Sequence, residues 1–490
     1  MRSGPESARA LIGRLASVFT ELPDPEVASG SGRLGWGDVP AAAGCSSGGP
    51  LDRAGHDDTS TTATTTHDRS SHTDTPTTAH DGPLGWPGYD DQLAQATERT
   101  GERESVVCGI AEIGRVTAMV VAFEFGFFGG SLGTRTGARI EQAFERARAL
   151  RLPVVSLVRT GGSRMQEGTP ALLQLQRIAR QLVLTREAGL PHIAVLRDPT
   201  TGGGWATLGA GADVALGIRG AQVGFAGSRV RPPGYSVTQQ FAAGLVDQLV
   251  PPDELRVRLE RWLRLLTPAE LEPAAVPAAL GCAELPDTGW DAVQRARAPD
   301  RPRAAAYLAA YFDWHEPISG DRCGGVDSGV LCGFGQRSGT TIAYAAQCGT
   351  ATRPAGFRTA ARLVRLADRL GIPVLTLVDT PGAANDAAAE KAGVGAAIAD
   401  MFTAVAAARV PVTTLVIGEG GSGGALAFAA PGRLWVTPDS YLAVISPELA
   451  AAILKRDPSR VRDTADQLRL RPQDLVELGI ARGVARPRER

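Results

Sequence analysis

The stretch VIGEGGSGGALAFAA (416–430) sets Gly418, Gly420, Gly421, Gly423 and Gly424 between an apolar strand pattern and a run of small helix-forming residues. Glycine at such a junction lets the chain turn sharply and lets another group approach main-chain N–H donors. DPTTGGG (198–204) stands at a similar junction, and TGG (160–162) and TPG (380–382) close two further apolar strand patterns. N–H groups gathered at a helix start stabilise negative charge developing on oxygen. Two turns that follow neighbouring strands can aim their donors at one oxygen, as an oxyanion hole for a thioester enolate requires. Tight helix–strand packing also uses glycine, and one isolated turn would mean no more than that.

Other glycine chemistries do not fit. The chain has no GxxxxGK[ST] phosphate loop, and neither repeat carries a Ser/His/Asp set. GxGxxG can be laid over Gly418, Gly420 and Gly423, but DPTTGGG breaks that pattern. His192 and His315 are the only histidines outside residues 56–80, and His192 opens an apolar strand, where a structural role is expected. The expected site therefore works with backbone donors and without a side-chain nucleophile.

The elements that carry these turns occur twice. LPVVSLVRTGG (152–162) aligns with IPVLTLVDTPG (372–382), with Pro153 and Pro373 separated by 220 positions (373 less 153). The same spacing lays LPHIAVLRDPTTGGG (190–204) on VPVTTLVIGEGGSGG (410–424). Two blocks in one register mark a duplicated unit. In each copy a helix (138–150; 359–370) leads through proline to a buried strand, a glycine turn, a second helix (170–187; 390–408) and a second strand. The glycine-rich turn follows, and then a short strand (221–227; 441–447). Parallel strands joined by helices predict an α/β fold whose ligands sit at the carboxyl ends of the strands.

Composition sets the frame. The 490 residues suggest two or three domains, and 43% apolar with 21% charged residues describes a globular chain. A net charge of −1 offers nothing for nucleic acid or an anionic membrane. Lys391 and Lys455 are the only lysines, as coding bias in a GC-rich genome would produce. Six cysteines without a CxxC fit a reducing cytoplasm. No signal peptide or membrane span is read. Residues 1–24 predict one short amphipathic helix near Ala8–Phe19, and the Thr/Ser/Asp/His-rich stretch 56–81, with His56, His67, His72 and His80, a disordered linker.

The chain resembles the carboxyltransferase of bacterial acetyl-CoA carboxylase with its β and α subunits fused. The β-type likeness runs through FGFFGGSLGTRTGARIEQAFERAR (125–148), TGGSRMQEGTPALLQL (160–175), LRDPTTGGGWATLGAGADV (196–214) and GFAGSRV (224–230). The α-type likeness runs through GFRTAARLVRLADRLGIPV (356–374), LVDTPGA (377–383), VIGEGGSGGALA (416–427) and ISPELAAAIL (445–454). It implies tandem duplicated crotonase-like (ClpP/crotonase) α/β domains. Residues 1–83 would form the N-terminal helix and linker, 84–275 the β-type unit and 276–490 the α-type unit.

The family moves carboxyl from carboxybiotin to the α-carbon of an acyl-CoA, giving malonyl-CoA from acetyl-CoA for fatty acid or polyketide precursors. By resemblance, Gly161, Gly162, Gly202 and Gly203 would face the acyl-CoA thioester, and Gly382, Gly423 and Gly424 the biotin. Arg164 and Arg229 would meet CoA phosphates, and Gly129, Gly130 and Ala425 would also contact substrate. Biotin would arrive on a separate biotin carboxyl carrier protein charged by a biotin carboxylase, because no Met-Lys-Met attachment motif occurs. A homodimer or larger homo-oligomer is implied, with no nucleic acid and no membrane as partner.

Two departures stand out. The family's four-cysteine zinc ribbon is not matched, since its place holds only Cys45, so no zinc is expected. After DTPGA the family's Tyr-Pro-Gly-Val-Gly is replaced by Ala384-Asn385-Asp386-Ala387-Ala388. A biotin-dependent acyl-CoA decarboxylase, or an assembly or regulatory subunit weakened in catalysis, would carry much the same residues. Glu167, Glu390 and Asp379 lie beside the motifs, where positioning and helix capping are both open to them.

Overall fold

The computed structural model describes residues 6–25, 81–227, 235–268 and 271–488. The expected linker up to residue 80, Cys45 and Arg229 lie outside them. In the first half, β1 (Val18–Glu21), β2 (Val106–Ile113), β3 (Val116–Phe123), β4 (Val154–Thr160), β5 (His192–Thr201), β6 (Val214–Ile218), β7 (Val223–Gly224) and β8 (Gln248–Val250) form one sheet. Its order is β1-β2-β3-β4-β5-β6-β8, with β7 paired to β5. The second half contributes β9 (Trp314–Ile318), β10 (Val330–Arg337), β11 (Thr340–Gln347), β12 (Val374–Thr380), β13 (Val412–Gly421), β14 (Leu434–Val436) and β15 (Tyr441–Ala443). These run β14-β13-β12-β11-β10-β9, with β15 on β13.

Both sheets follow one plan: an antiparallel hairpin (β2–β3; β10–β11), then parallel strands reached through helices. β4 and β12, buried on both faces, read as near-continuous apolar runs, as parallel strands must. The helix Pro354–Leu370 begins on proline and ends at Gly371 with φ 69°. Proline there gives up an N–H that would have been orphaned, and glycine tolerates the left-handed cap.

Two local readings are corrected. The N-terminal helix stops at Leu15, and Val18–Glu21 turns into an edge strand on β2, with Val18 opposite Glu112. The helix expected over 390–408 is broken at Gly393, φ 75°, into Ala387–Lys391 and Val394–Ala407.

One continuous core joins the halves. Val107 and Val120 of the first sheet, Leu259 and Trp262 of the helix Leu255–Leu266, and Phe334, Phe357 and Val364 of the second half share a single apolar cluster. The Trp262 and Phe334 rings meet edge-to-face at 6.1 Å. Beside them Glu316, with no exposure, takes Arg258 at 3.0 Å and Arg261 at 2.9 Å, and accepts from Gln248 of β8 at 3.0 Å. A buried carboxylate so fully paired fixes how the two sheets sit.

Candidate active site

The carboxyl ends of the central strands carry the glycine turns in both halves. β4 and β5 pair in register to Val158–Leu196 and resume at Thr160–Thr200. β12 and β13 do the same, from Val378–Val416 to Thr380–Gly420. The extra residues on β5 and β13 form a bulge that bends the strand end toward its neighbour. Past it, Gly162 N–H donates to Thr160 Oγ1 at 3.0 Å, and Gly382 N–H to Thr380 Oγ1 at 3.1 Å. Leu132 bridges Ser163 as Thr352 bridges Ala383. The repeat read in the sequence is a repeat of backbone geometry.

The two turns in each half touch. A Cβ on Gly202, which has φ 60°, would come within 3.0 Å of Gly162 Cα. One on Gly424 would lie 2.3 Å from Ala383 N. Both are backbone-on-backbone approaches that a side chain would forbid. Ser422 takes the place of Gly202 in the second half and holds a similar left-handed φ of 54°.

The hydrogen bonds decide which donors are left for a ligand. Gly161 N–H donates to Gly129 O at 2.9 Å, and Gly202 N–H to Phe225 O at 3.0 Å. Gly162 and Gly382 serve their own threonines. Four of the seven expected glycine donors are therefore spent on holding the turns, a correction to the sequence reading. Gly203, Gly423 and Gly424 remain, in first helical turns whose N–H groups lack intrahelical acceptors.

Sequence reasoning missed two further donors. Leu132 N–H donates to Gly162 O and Arg164 N–H to Leu132 O, both at 2.8 Å. In an extended segment alternate N–H groups point to opposite sides, so that of Ser163 faces away from Leu132. Thr352 treats Gly382 and Ala384 in the same way, at 3.0 and 2.9 Å, which turns Ala383 N–H away from Thr352, with the Gly382–Ala383 peptide packed against Gly424. The 220-residue register pairs Ser163 with Ala383 and could have singled them out.

The expected substrate contacts fall differently. Arg164 is 1% exposed and bonds Glu104, Glu167 at 3.1 Å, Tyr89 Oη at 3.2 Å and Ser131 O at 3.1 Å. Its guanidinium is saturated inside the protein, so it frames the first turn and is no phosphate contact. Burial works against the Glu167 carboxylate, yet Thr134 N–H, Tyr89 Oη–H and Arg164 together hold it below the ordinary carboxylate range. Glu167 also caps the helix Thr134–Leu150 through that Thr134 N–H. Gly129 and Gly130 back the first turn from outside; a Cβ on Gly130 would strike Arg159 O at 2.1 Å. The Ala425 methyl is fully buried in the core, which leaves only its main chain for a ligand.

The second turn pair is framed by other residues. Asp379 is fully buried and takes Arg301 and, at 3.3 Å, Arg303. Glu419 N–H, in the β13 bulge, donates to Asp379 Oδ1 at 3.2 Å. Arg301 also donates to Ile417 O in the same bulge at 3.1 Å. Gly418 exists to admit that guanidinium, since a Cβ there would sit 2.2 Å from Arg301 Nη2. Burial pushes the Asp379 carboxyl up, against the pull of both arginines. The Ala384–Ala388 segment that replaces the family motif is capped by Asp386, which accepts from Ala389 N–H at 2.9 Å and pairs with Arg353 at 2.8 Å. Glu390 is exposed in the short helix that follows.

Burial silences His192 and three of the cysteines. Burial lowers His192 to about 4, and its Nε2 meets Ser156 Oγ at 2.9 Å. Burial pushes the Cys108 and Cys332 thiols up to about 12 and Cys348 to about 11. Beside Ser422 and Gly423 opens a groove of about 510 Å³ lined by Leu426, Leu442, Val444, Leu478 and Ile480. A Cβ on Gly423 would meet nothing within 4 Å. Among the described residues no helix is long and apolar enough to cross a membrane.

Comparison with known proteins follows the same division of the chain. Residues 84–233 match the carboxyl transferase domain family, and residues 284–487 the family described as acetyl co-enzyme A carboxylase carboxyltransferase-like. The acetyl-coenzyme A carboxylase carboxyl transferase subunits beta/alpha of Saccharopolyspora erythraea are 37% identical over 420 residues, 81% of this chain and 74% of the relative. A probable biotin-dependent acyl-coenzyme A carboxylase beta3 subunit of Mycobacterium tuberculosis is 34% identical, over 81% and 83% of the two chains. Among solved structures, transcarboxylase 12S, a hexamer with hydrolysed methylmalonyl-coenzyme A bound, superposes with a TM-score of 0.67 at 21% identity, over 78% of this chain and 79% of the other. A single-chain, multi-domain long-chain acyl-CoA carboxylase gives 0.64 at 21% identity, over 78% and 40%.

Proposed function

The chain belongs to the carboxyltransferase family of acyl-CoA carboxylases, and we propose that its two matched turn pairs are two oxyanion sites, one for each reactant. It is a carboxyltransferase of the biotin-dependent kind acting on acyl-CoA. In this reading Ser163 and Gly203 N–H receive the thioester oxygen of the acyl-CoA. Ala383, Gly423 and Gly424 N–H receive the ureido oxygen of biotin. The observation that carries it is the same turn built twice, bulge, threonine clasp and backbone contact included, where one reactant would need it once.

In this reading biotin belongs to the second half. Gly423 opens onto free space, and the adjoining groove is apolar and large enough for a bicyclic ring. When bound, carboxybiotin supplies the carboxyl group and, on losing it, the base for the acyl α-proton. This chain's residues hold the oxygens. Fixed N–H donors favour the transition state over the ground state, because they meet the charge only as it develops. Among the described residues no poised His or Cys stands beside the turns, consistent with that division of labour.

The finer assignments belong to the same proposal. Acetyl-CoA or another short acyl-CoA is the acceptor, and malonyl-CoA the product. Partners are a biotin carboxyl carrier protein, a biotin carboxylase and a second copy of this chain, and the compartment is the cytoplasm, in keeping with five free cysteines among the described residues. The units are taken as 84–275 and 276–490, consistent with one sheet ending at β8 and the next starting at β9. The test is transfer from the charged carrier to a panel of acetyl-, propionyl- and butyryl-CoA. Turnover of at least one supports the reading, and none with folded, oligomeric protein and active carrier overturns it.

A further inference from the structure

The β13 bulge must hold its shape for the second turn to present N–H groups, and one buried pair reaches every part of it. Asp379 is the next-to-last residue of β12, two before Pro381, and its Oδ1 accepts Glu419 N–H at 3.2 Å from the bulge of β13. Arg301, from the loop after the helix Gly289–Arg297, binds the same Oδ1. Its other nitrogen donates to Ile417 O at 3.1 Å, and its Nε to Ala296 O. Gly349 N–H donates to Asp379 O at 2.7 Å, which ties in the strand end beyond β11. Among the described residues the first half has no such pair. There Arg159, which stands where Asp379 does in the repeat, donates directly to Asp198 O of its own bulge.

We infer that the Arg301–Asp379 pair is the positioning device of the second glycine turn, setting the biotin-side donors while leaving the acyl-CoA side untouched. The inference rests on the assignment of the second turn to biotin. Arg301 and Asp379 touch neither reactant. They act by keeping the ends of β12 and β13 at the separation that brings the Gly382–Ala383 peptide against Gly424. A shift of the bulge by a fraction of an ångström would move that contact, because the approach leaves no slack. Glu419 is steadied from the opposite side by Tyr441 Oη–H at 2.8 Å and Arg297 at 2.9 Å, so the bulge is clamped at both edges.

The test is steady-state kinetics of the full chain in the reverse direction, with malonyl-CoA and free biotin varied independently. The variants are Arg301→Lys, Asp379→Asn and Gly418→Ala. The last inserts a methyl where the Arg301 guanidinium lies and alters no charge. All three should lower kcat and raise the KM for biotin, by roughly ten- to hundredfold combined, as expected for displaced positioning groups. The KM for malonyl-CoA should stay within about twofold. Parallel shifts in both KM values, or wild-type biotin kinetics in a folded variant, would overturn the positioning role. Wild-type protein that shows no biotin-dependent turnover of any CoA ester would instead overturn the functional reading beneath it.

Discussion

The two glycine-turn pairs share a backbone and differ in almost everything that supports it. In the first half the prop comes from within the turn: Arg164, three residues past Gly161, plunges into a buried cluster of Glu104, Glu167 and Tyr89. In the second half the matching position is Ala384, and the prop comes from outside, through Arg301 on Asp379. Position 159/379 has exchanged arginine for aspartate, and the guanidinium that reaches the bulge carbonyl has moved to another segment. What both halves kept is the bulge, the threonine clasp and the close approach of two turns. On the proposed reading the chemistry constrains main-chain donors, while the side chains that prop them have changed.

The largest effect should come from breaking the first prop. Arg164→Met leaves the Glu104 and Glu167 carboxylates buried without their partner, and should destabilise the protein by about 3–5 kcal/mol in chemical denaturation. A loss below about 1 kcal/mol would mean that the network is dispensable and the contrast with the second half misplaced. Gly424→Val should come next. Its side chain cannot coexist with Ala383 N at its present place, so carboxyl transfer should fall roughly 10²- to 10³-fold, the loss of an oxyanion donor. Acyl-CoA affinity, measured by calorimetry, should hold.

A smaller effect concerns stability against pH. The unfolded chain protonates His192 near pH 6.5, whereas the folded chain resists until about pH 4. Stability present above pH 6.5 therefore drains away as pH falls through that window, by up to about 3 kcal/mol. His192→Gln should flatten that slope in denaturation curves taken between pH 7 and 4, with no change in the pH profile of turnover near neutrality. The smallest effect expected is that of Gly423→Ala. With nothing within 4 Å of the added methyl, stability should move by less than about 0.5 kcal/mol. A severalfold rise in the KM for biotin alone would still mark the open side of the turn.

Much of this was legible in the residues. Apolar runs ending in glycine announced the strands and turns, and the 220-residue spacing announced that they come in matched pairs. The carboxyltransferase likeness followed from the same blocks. What stayed hidden depends on partners distant in the chain. Nothing near Gly161 or Gly202 says that Gly129 O and Phe225 O will claim their N–H groups. Arg164 looked like a phosphate ligand because a motif does not reveal burial. The Arg301–Asp379 pair spans 78 residues, and Val18–Glu21 becomes a strand only because β2 offers it an edge.

The central claim is that each half supplies main-chain N–H groups to a different reactant. A crystal structure of the oligomer with an acyl-CoA and biotin both bound tests it most directly. The account predicts the thioester oxygen within hydrogen-bonding distance of Ser163 and Gly203 N, and the ureido oxygen likewise at Ala383 and Gly423 or Gly424 N. Both reactants seated on one half, or either oxygen turned away from these nitrogens, would contradict it.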